Sequence, residues 1–247
     1  MSYIIGVEIY FANVNDFAIQ DLPLTKDESL ALSELKSSKR QKEWAISKWL
    51  RRKILSEKIG VPEEILVFNK YHSGKPFLSD PVTYYFNISH SHDWVVLAVC
   101  RKCDIGIDIQ KMNLKRNILG IAQNYFSQDE AEELGRLSQK EQRELFYTLW
   151  VLKEAALKSQ GRGIAGNLSQ YSFKLNNNLT LYQESTEQVQ FVSYKIESDS
   201  LCAIALNLSQ QNNIQIQVKS YRIKLKEKPK LLDLKSSHYQ ILTDPKK

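Results

Sequence analysis

The sequence has few of the residues that build disulfide scaffolds, zinc sites or membrane spans. Its 247 residues include three cysteines and four histidines. Three is an odd number, and Cys100 and Cys103 form a CxxC without a second pair, so neither a secreted disulfide framework nor a zinc ribbon is expected. No apolar run approaches the roughly 20 residues of a spanning helix, and the first residues lack the basic region and cleavage site of a signal peptide. We expect a cytoplasmic protein without a membrane segment.

Most of the chain also lacks an excess of charge of one sign. The net charge is +6, but residues 219–247 hold nine Lys or Arg against three Asp or Glu, which leaves the other residues balanced. The high isoelectric point therefore reflects a basic C-terminal tail, which we expect to be solvated. A basic nucleic-acid-binding protein without catalysis remains an alternative, although the balanced body argues against it. One internal segment, 36–58, is locally basic, with nine Lys or Arg against Glu43 and Glu57.

Strand-like and helical segments follow one another in an order that mixes helices with hairpins. We expect strands at 3–11, 65–68, 84–89, 94–100, 105–110, 188–196, 201–208 and 214–225. Residues 27–59 are expected to be helical, and capping boxes at Ser127 with Glu130 and Ser138 with Glu141 mark further helix starts, the second helix running to about residue 159. This order predicts an α+β fold rather than a doubly wound sheet. We place the division between two subdomains at 1–104 and 105–247, the second carrying the basic tail.

The stretch IGIDIQK, residues 105–111, places a carboxylate in an apolar strand. Alternation puts the three isoleucines on one face, and Gly106, Asp108 and Gln110 on the other. A buried carboxylate is costly unless it is paired or binds a metal, whereas an exposed one needs no special role. The strand alone leaves both interpretations of Asp108 open, a buried carboxylate with a partner or metal and an exposed one without a special role.

The stretch LWVLKEAALKSQ places Glu154 and Lys158 four residues apart, on one face of a helix. Taken alone, such a pair is a surface salt bridge worth ~0.3–0.5 kcal/mol. Phe146 and Trp150 precede it on the same side of the helix. A charged pair that continues an aromatic stripe indicates a face that is partly buried.

Two further signals have competing interpretations. Glu130 is the third residue of a capping box, so its carboxylate is expected to accept a backbone N–H. His90 and His92 are spaced as in metal-binding strands, and HSHD resembles the start of a binuclear zinc motif. A metal-dependent phosphohydrolase is therefore a second alternative. Only His72 and His238 remain elsewhere in the chain, however, so a histidine-rich zinc site cannot be built.

Five stretches, SGKP, FNISHSHDWVVLAV, IGIDIQK, YFSQDEAEEL and FYTLWVLKEAALKSQGRG, occur in the order of a known family. Together they resemble the 4′-phosphopantetheinyl transferases of the larger, single-chain, surfactin-synthetase-activating type, over about residues 39–175. The resemblance implies two similar subdomains related by pseudo-twofold symmetry. It also implies a magnesium-dependent holo-carrier-protein synthase. Such an enzyme moves the 4′-phosphopantetheine arm of coenzyme A to a serine of an apo acyl or peptidyl carrier protein and releases 3′,5′-ADP. A monomer that binds neither nucleic acid nor membranes is expected.

The resemblance also implies roles for individual residues. The expected Mg²⁺ ligands are Asp108 and Glu154, with Gln110 where many members have a further acid. Lys158 is expected to neutralise the phosphate and the leaving group, and either Glu154 or Glu130 is expected to take the serine proton. The residues expected to bind coenzyme A are Lys48, Lys75, Asn87, Ser89, His90, Asp108 and Lys158. The weaker candidates for this role are Lys39, Arg40 and Arg52.

Overall fold

A computed structural model describes residues 3–79, 84–161, 168–175, 180–183, 189–208, 214–236 and 240–243, and it has the predicted α+β architecture. The chain forms two compact units. Unit 1 comprises Met1–Lys102 and Asn213–Asp233, and unit 2 comprises Cys103–Asn212 and Leu234–Lys247. Among the helices of the described ranges, none is long and apolar enough to cross a membrane.

Unit 1 is built on a five-stranded sheet with the order β12-β11-β1-β5-β4. The strands of this sheet are β1 (Tyr3–Asn13), β4 (Tyr85–Ser91), β5 (Trp94–Cys100), β11 (Ile214–Ile223) and β12 (Lys230–Leu232). A short hairpin is formed by β2 (Phe68–Lys70) and β3 (Pro76–Leu78). The strand predicted at 65–68 is displaced, because residues 63–65 form a single 3-10 turn and pairing begins at Phe68.

The predicted helix 27–59 is divided into α1 (Lys26–Ser33) and α2 (Ser38–Ile59). Thr25 and Glu28 form a capping box that starts α1, and the Ser37 side chain caps α2. Gly60 ends α2 with φ of +79°, a left-handed conformation that favours glycine. The inner face of α2 buries Trp49 and Leu50 in the core of unit 1.

The segment 214–223 departs from the predicted organisation. The sequence placed it in the C-terminal subdomain, 105–247, and predicted that residues 219–247 form a solvated tail. β11 pairs in parallel with β1 over the whole register from Tyr3 with Ile214 to Ala12 with Ile223, so Asn213–Asp233 belongs to unit 1. Within the described part of the predicted tail, residues 219, 226–231, 233 and 235 are exposed as expected, whereas Ser220 and Ile223 are buried. Residues 244–247 lie outside the described residues.

Unit 2 contains a four-stranded antiparallel sheet with the order β13-β9-β10-β6. Its strands are β6 (Ile105–Lys111), β9 (Val189–Ile196), β10 (Ser200–Asn207) and β13 (Lys235–Ser236). A three-stranded sheet is formed by β7 (Phe173–Leu175), β8 (Thr180–Gln183) and β14 (Gln240–Thr243). The helices are α3 (Ile118–Tyr125), α4 (Gln128–Arg136) and α5 (Gln139–Ser159).

Helix α5 packs on the β6–β10 part of the sheet and contributes more buried residues to the core of unit 2 than any other element. Both predicted capping boxes are present, at the starts of α4 and α5. The sheet face that α5 covers carries Asp108 and Gly106, which pair with Ala203 and Ala205 of β10. The isoleucines of β6 lie on the opposite face and are also fully buried. Both faces of β6 are therefore buried, and Asp108 is a carboxylate inside the fold rather than on its surface.

Candidate functional site

A close approach between β6 and α5 brings the candidate residues of unit 2 together. A Cβ atom added to Gly106 would lie 1.9 Å from the carbonyl oxygen of Ala155 and 2.4 Å from the amide nitrogen of Ser159. Only glycine therefore permits this contact. Asp108 follows Gly106 on the same face of β6, while Glu154 and Lys158 flank the contact on α5. The glycine thus places the strand carboxylate beside the helix pair.

Asp108 and Lys158 form a direct ion pair across this contact. The distance from Lys158 Nζ to Asp108 Oδ1 is 2.6 Å, and the Gln110 side chain donates to Asp108 Oδ2 from 3.4 Å. Asp108 is 2% exposed and Glu154 is 6% exposed, whereas the Lys158 side chain keeps 26% of its surface accessible. The prediction that Glu154 and Lys158 share a partly buried face is confirmed by these exposures.

The described side chains of this cluster carry more negative than positive charge. Among them, two buried carboxylates, Asp108 and Glu154, lie with the ammonium group of Lys158. Burial raises the pKa of Glu154, the charge of Asp108 raises it further, and Lys158 opposes both effects. Burial and Asp108 also raise the pKa of the neighbouring Cys202 thiol. An added cation would relieve the repulsion between the two carboxylates.

The donor set of the cluster suits a hard divalent cation. Mg²⁺ uses one or two protein carboxylates and fills its remaining positions with water and substrate phosphate. Asp108 and Glu154 supply that number, and Gln110 adds an amide within the same cluster. Within the part of the chain that the structure describes, no group of three or more His, Cys, Asp or Glu residues is placed to hold a metal ion. The two carboxylates and the amide are hard oxygen donors, which suit Mg²⁺ better than Zn²⁺.

Glu130 occupies a different environment from Glu154. Its carboxylate accepts hydrogen bonds from the backbone N–H groups of Ser127 and Phe173, each at 2.9 Å, and pairs with Lys153 Nζ at 2.8 Å. The Lys153 and Glu130 side chains are 0% and 1% exposed. Lys153 Nζ also donates to the carbonyl of Leu168 at 3.2 Å and to that of Tyr171. The capping-box interpretation of Glu130 is confirmed, and a buried ion pair is added to it.

Unit 1 contains a cavity of about 310 Å³ between α2, the β2–β3 hairpin and β4. Four cationic side chains line it: Arg40, Lys48, Arg51 and Lys70. Glu43 also lines the cavity, and its Oε2 lies 3.5 Å from Nδ1 of His90. The cavity is therefore strongly basic, as a site for phosphate groups requires.

The structure brings some of the predicted coenzyme A residues to this cavity and not others. Lys48 and His90 line it. Lys75 belongs to the β2–β3 turn beside the cavity, where its carbonyl accepts from the Tyr71 N–H. Asn87 and Ser89 are buried on the opposite face of β4 from His90, because side chains alternate along a strand.

The weaker candidates for coenzyme A binding also differ in whether they line the cavity. Arg40 lines the cavity, and Lys39 is an exposed residue 3.8 Å from Glu43. Arg52 is 5% exposed, and its guanidinium pairs with Glu28 and with Glu63, the latter at 3.2 Å. Arg52 thus connects α1 and the turn after α2 to α2 itself, and it does not line the cavity.

Sequence reasoning did not select four residues that the structure places at these sites. Gly106 had a usable signal, because a glycine inside a strand often marks a close backbone approach. Arg51 lies three residues after Lys48 and so shares its helix face. Lys70 and Lys153 had no local signal, since the first reaches the cavity from a separate hairpin and the second pairs with Glu130 of another helix.

Known proteins are similar in sequence to most of this chain. Residues 104–221 match the model of the 4′-phosphopantetheinyl transferase superfamily, and residues 14–102 match the model described as 4′-phosphopantetheinyl transferase, N-terminal. The 4′-phosphopantetheinyl transferase gsp of Aneurinibacillus migulanus is 32% identical over 168 residues, which cover 65% of this chain and 69% of that protein.

Two Bacillus proteins have higher identity over a shorter range. The 4′-phosphopantetheinyl transferase psf-1 of Bacillus pumilus is 38% identical over 127 residues, covering 51% of this chain and 53% of that protein. The 4′-phosphopantetheinyl transferase Sfp of Bacillus subtilis is 35% identical over 127 residues, covering 51% and 55%. The matched range thus spans about half the length of these two relatives. The chain belongs to the 4′-phosphopantetheinyl transferase superfamily, in the surfactin-synthetase-activating group.

Proposed function

We propose that the protein is a holo-carrier-protein synthase, which transfers the 4′-phosphopantetheine arm of coenzyme A to a serine of an apo carrier protein. The observation that carries this proposal is the buried cluster of Asp108, Glu154 and Lys158 at the Gly106 contact. It combines two carboxylates with one cation in the arrangement that transfer from a magnesium-bound pyrophosphate requires. The family membership supports the same reaction.

The metal site of this proposal consists of Asp108 and Glu154, with Gln110 contributing its amide oxygen or a bound water. Mg²⁺ held there supplies neutralisation of the charge that develops on the pyrophosphate. Gln110 now donates to Asp108, so ligation through its oxygen requires the side-chain amide to rotate. A neutral amide contributes no charge, and we therefore expect weaker metal binding than in a site with three carboxylates.

The proposed reaction forms one bond and breaks one. The serine oxygen bonds to the β-phosphorus of coenzyme A while the bond to the leaving phosphate oxygen breaks, and 3′,5′-ADP departs. Glu154 takes the serine proton, directly or through a water. The partly exposed ammonium of Lys158 neutralises negative charge on the leaving group.

Glu130 is assigned a structural role rather than that of the base. Its side chain is 1% exposed, and its oxygens already accept from Ser127, Phe173 and Lys153. Removing a proton from a substrate would require this network to open. Lys153 directly precedes Glu154 on α5, so the network fixes the helix that carries the proposed base.

The coenzyme A phosphates are assigned to the basic residues of unit 1, with Lys48 on the 3′-phosphate, Lys75 on the pyrophosphate and His90 against one of the coenzyme A phosphates. The basic cavity supports this assignment. Asn87 and Ser89 lie on the other face of β4, so we assign them to supporting the strand that presents His90.

The wider setting of the reaction is also part of the proposal. The acidic surface typical of carrier proteins favours steering by the basic segment 36–58. Each unit packs a long helix on a pair of antiparallel strands, β4–β5 in unit 1 and β6–β10 in unit 2, which supports the proposal that the two subdomains are similar. We further propose that the protein is a cytoplasmic monomer without nucleic-acid or membrane partners.

Thermal unfolding with coenzyme A separates this function from a hydrolase and from a nucleic-acid-binding protein. At a coenzyme A concentration about 100 times its Kd, we expect Tm to rise by about 5–10 °C. Part of this rise should require Mg²⁺ and should be absent in Asp108→Ala. Release of free phosphate from coenzyme A would indicate a hydrolase, and protection by oligonucleotides alone would indicate nucleic-acid binding.

A further inference from the structure

Three of the four cationic side chains that line the cavity of unit 1 come from two elements. Lys48 and Arg51 come from the same face of α2, and Lys70 comes from the last position of β2. Their mutual repulsion costs free energy in the absence of an anion, and all three face the same cavity. The inference drawn from them rests on the proposed function and concerns which part of the nucleotide the cavity recognises.

Among the described residues, Arg51 forms no ion pair, and an aromatic ring holds it in position. Its guanidinium lies over the ring of Phe68, 4.1 Å from the ring centroid. Its Nε is buried and has no hydrogen-bond partner among the residues that the structure describes. The neighbouring Arg52, by contrast, is paired with Glu28 and Glu63. A buried donor that lacks a partner is costly, and it is satisfied when an oxygen of a ligand reaches it.

We propose that Arg51 is a specificity-determining residue that binds the 3′-phosphate of coenzyme A together with Lys48, so that the protein selects 3′-phosphorylated nucleotides over their 3′-dephospho forms. Lys48 is the residue already assigned to this phosphate, and Arg51 lies one turn further along the same helix face. A guanidinium fork held against an aromatic ring is suited to bidentate contact with a phosphate. Lys70 adds a third positive charge from the hairpin.

The protonation of Lys48 provides a signal of this contact. Burial lowers the pKa of Lys48 to about 8, and the charges of Arg51 and Lys70 contribute to the decrease. An anion bound between these cations stabilises the charged form of Lys48. Nucleotide binding at about pH 8 should therefore be accompanied by proton uptake. The charged or titratable groups around Lys48 are Glu28 on α1; Arg40, Glu43, Arg51 and Arg52 on α2; Lys70 on β2; and His90 on β4.

Isothermal titration calorimetry with 3′,5′-ADP and 5′-AMP tests the proposal on the full chain. Arg51→Met keeps the aliphatic stem on Phe68 and removes the fork. We expect it to weaken 3′,5′-ADP binding by about 10- to 100-fold, the range of a charge-assisted hydrogen bond, while 5′-AMP binding changes by less than about threefold. Lys53→Met is the matched control, because it removes the same charge from α2 at a residue that pairs with Glu57 outside the cavity.

Proton uptake, measured at about pH 8 in buffers of different ionisation enthalpy, gives the second readout. Arg51→Met removes a charge that lowers the pKa of Lys48, so the variant should take up fewer protons than the wild type on binding 3′,5′-ADP. Arg51→Lys, which keeps the charge, should retain the uptake and lose only part of the affinity, and it serves if the Met variant does not fold.

The outcomes separate this inference from the proposed function. Equal losses for 3′,5′-ADP and 5′-AMP, or a loss no larger than that of Lys53→Met, would overturn the assignment of Arg51 while leaving nucleotide binding intact. A wild-type protein that binds neither nucleotide would contradict the proposed function, and the role of Arg51 would fall with it.

Discussion

Gly106→Ala is the substitution that most directly perturbs the proposed site without altering any charged group. The added Cβ would lie 1.9 Å from the Ala155 carbonyl oxygen, and a normal contact is about 3.5 Å. Helix α5 and strand β6 must therefore separate by roughly 1.5 Å at this point. The Lys158–Asp108 ion pair, now at 2.6 Å, lies beside the point of separation and should lengthen by a similar amount.

This separation should affect turnover more than folding. Overpacking in a core costs about 1–3 kcal/mol, so we expect the variant to fold with a lowered Tm. A displacement of about 1 Å in a catalytic group can cost about 100-fold in rate, so we expect kcat/KM to fall by about that factor. The assay is transfer to an apo carrier protein followed by intact mass spectrometry, with thermal unfolding in parallel.

Gly135→Ala provides the matched control for this substitution. Gly135 lies in α4, and an added Cβ would meet nothing within 4 Å. Alanine there should stabilise the helix by up to ~1 kcal/mol and leave turnover unchanged. If Gly106→Ala retained both the Tm and the turnover of the wild type, the close approach would not be what positions Asp108, and the reasoning would be refuted.

Three further predictions follow from the buried charges. Burial and Asp108 raise the pKa of Glu154, so its ionisation lowers the stability of the protein as the pH rises through that pKa. Metal-free Glu154→Gln should therefore have a higher Tm than the metal-free wild type at about pH 8, and this difference should shrink toward about pH 5. The variant should also lose turnover. Glu130→Gln breaks a buried ion pair and should lower the free energy of unfolding, measured by chemical denaturation, by about 3–5 kcal/mol. Turnover per folded molecule should be largely retained. A loss of turnover without destabilisation would instead indicate that Glu130 is catalytic. Gln110→Glu adds a carboxylate beside Asp108 and should lower the Mg²⁺ concentration that gives half-maximal turnover; an unchanged or higher requirement is incompatible with Gln110 facing the metal.

Local patterns in the sequence were sufficient to predict several parts of the fold and of the site. The capping boxes at Ser127 and Ser138 satisfy backbone N–H groups within a few residues, so the starts of α4 and α5 followed from the sequence. The spacing of Glu154 and Lys158 likewise placed both on one face of α5. These features depend on contacts between residues close together in the chain.

Features that depend on distant segments were not predictable in the same way. A parallel pair needs a long crossover, and nothing within 214–223 indicates that its partner is β1. The contact of Gly106 with α5 depends on which face of β6 the helix covers, and both faces of that strand are buried. Arg51 and Arg52 look equivalent in the sequence, and only the positions of Glu28, Glu63 and the cavity distinguish them.

Intact mass spectrometry of apo carrier proteins, after incubation with the protein, coenzyme A and Mg²⁺, tests the central proposal most directly. A set of fatty-acid, polyketide, peptide-synthetase and aminoadipate-pathway carriers covers the chemistry that the site allows. We predict that at least one carrier gains the mass of a single phosphopantetheine arm, and that Asp108→Ala abolishes the gain. No gain on any carrier, or an equal gain with Asp108→Ala, would contradict the assignment of the Asp108–Glu154–Lys158 cluster as the site of transfer.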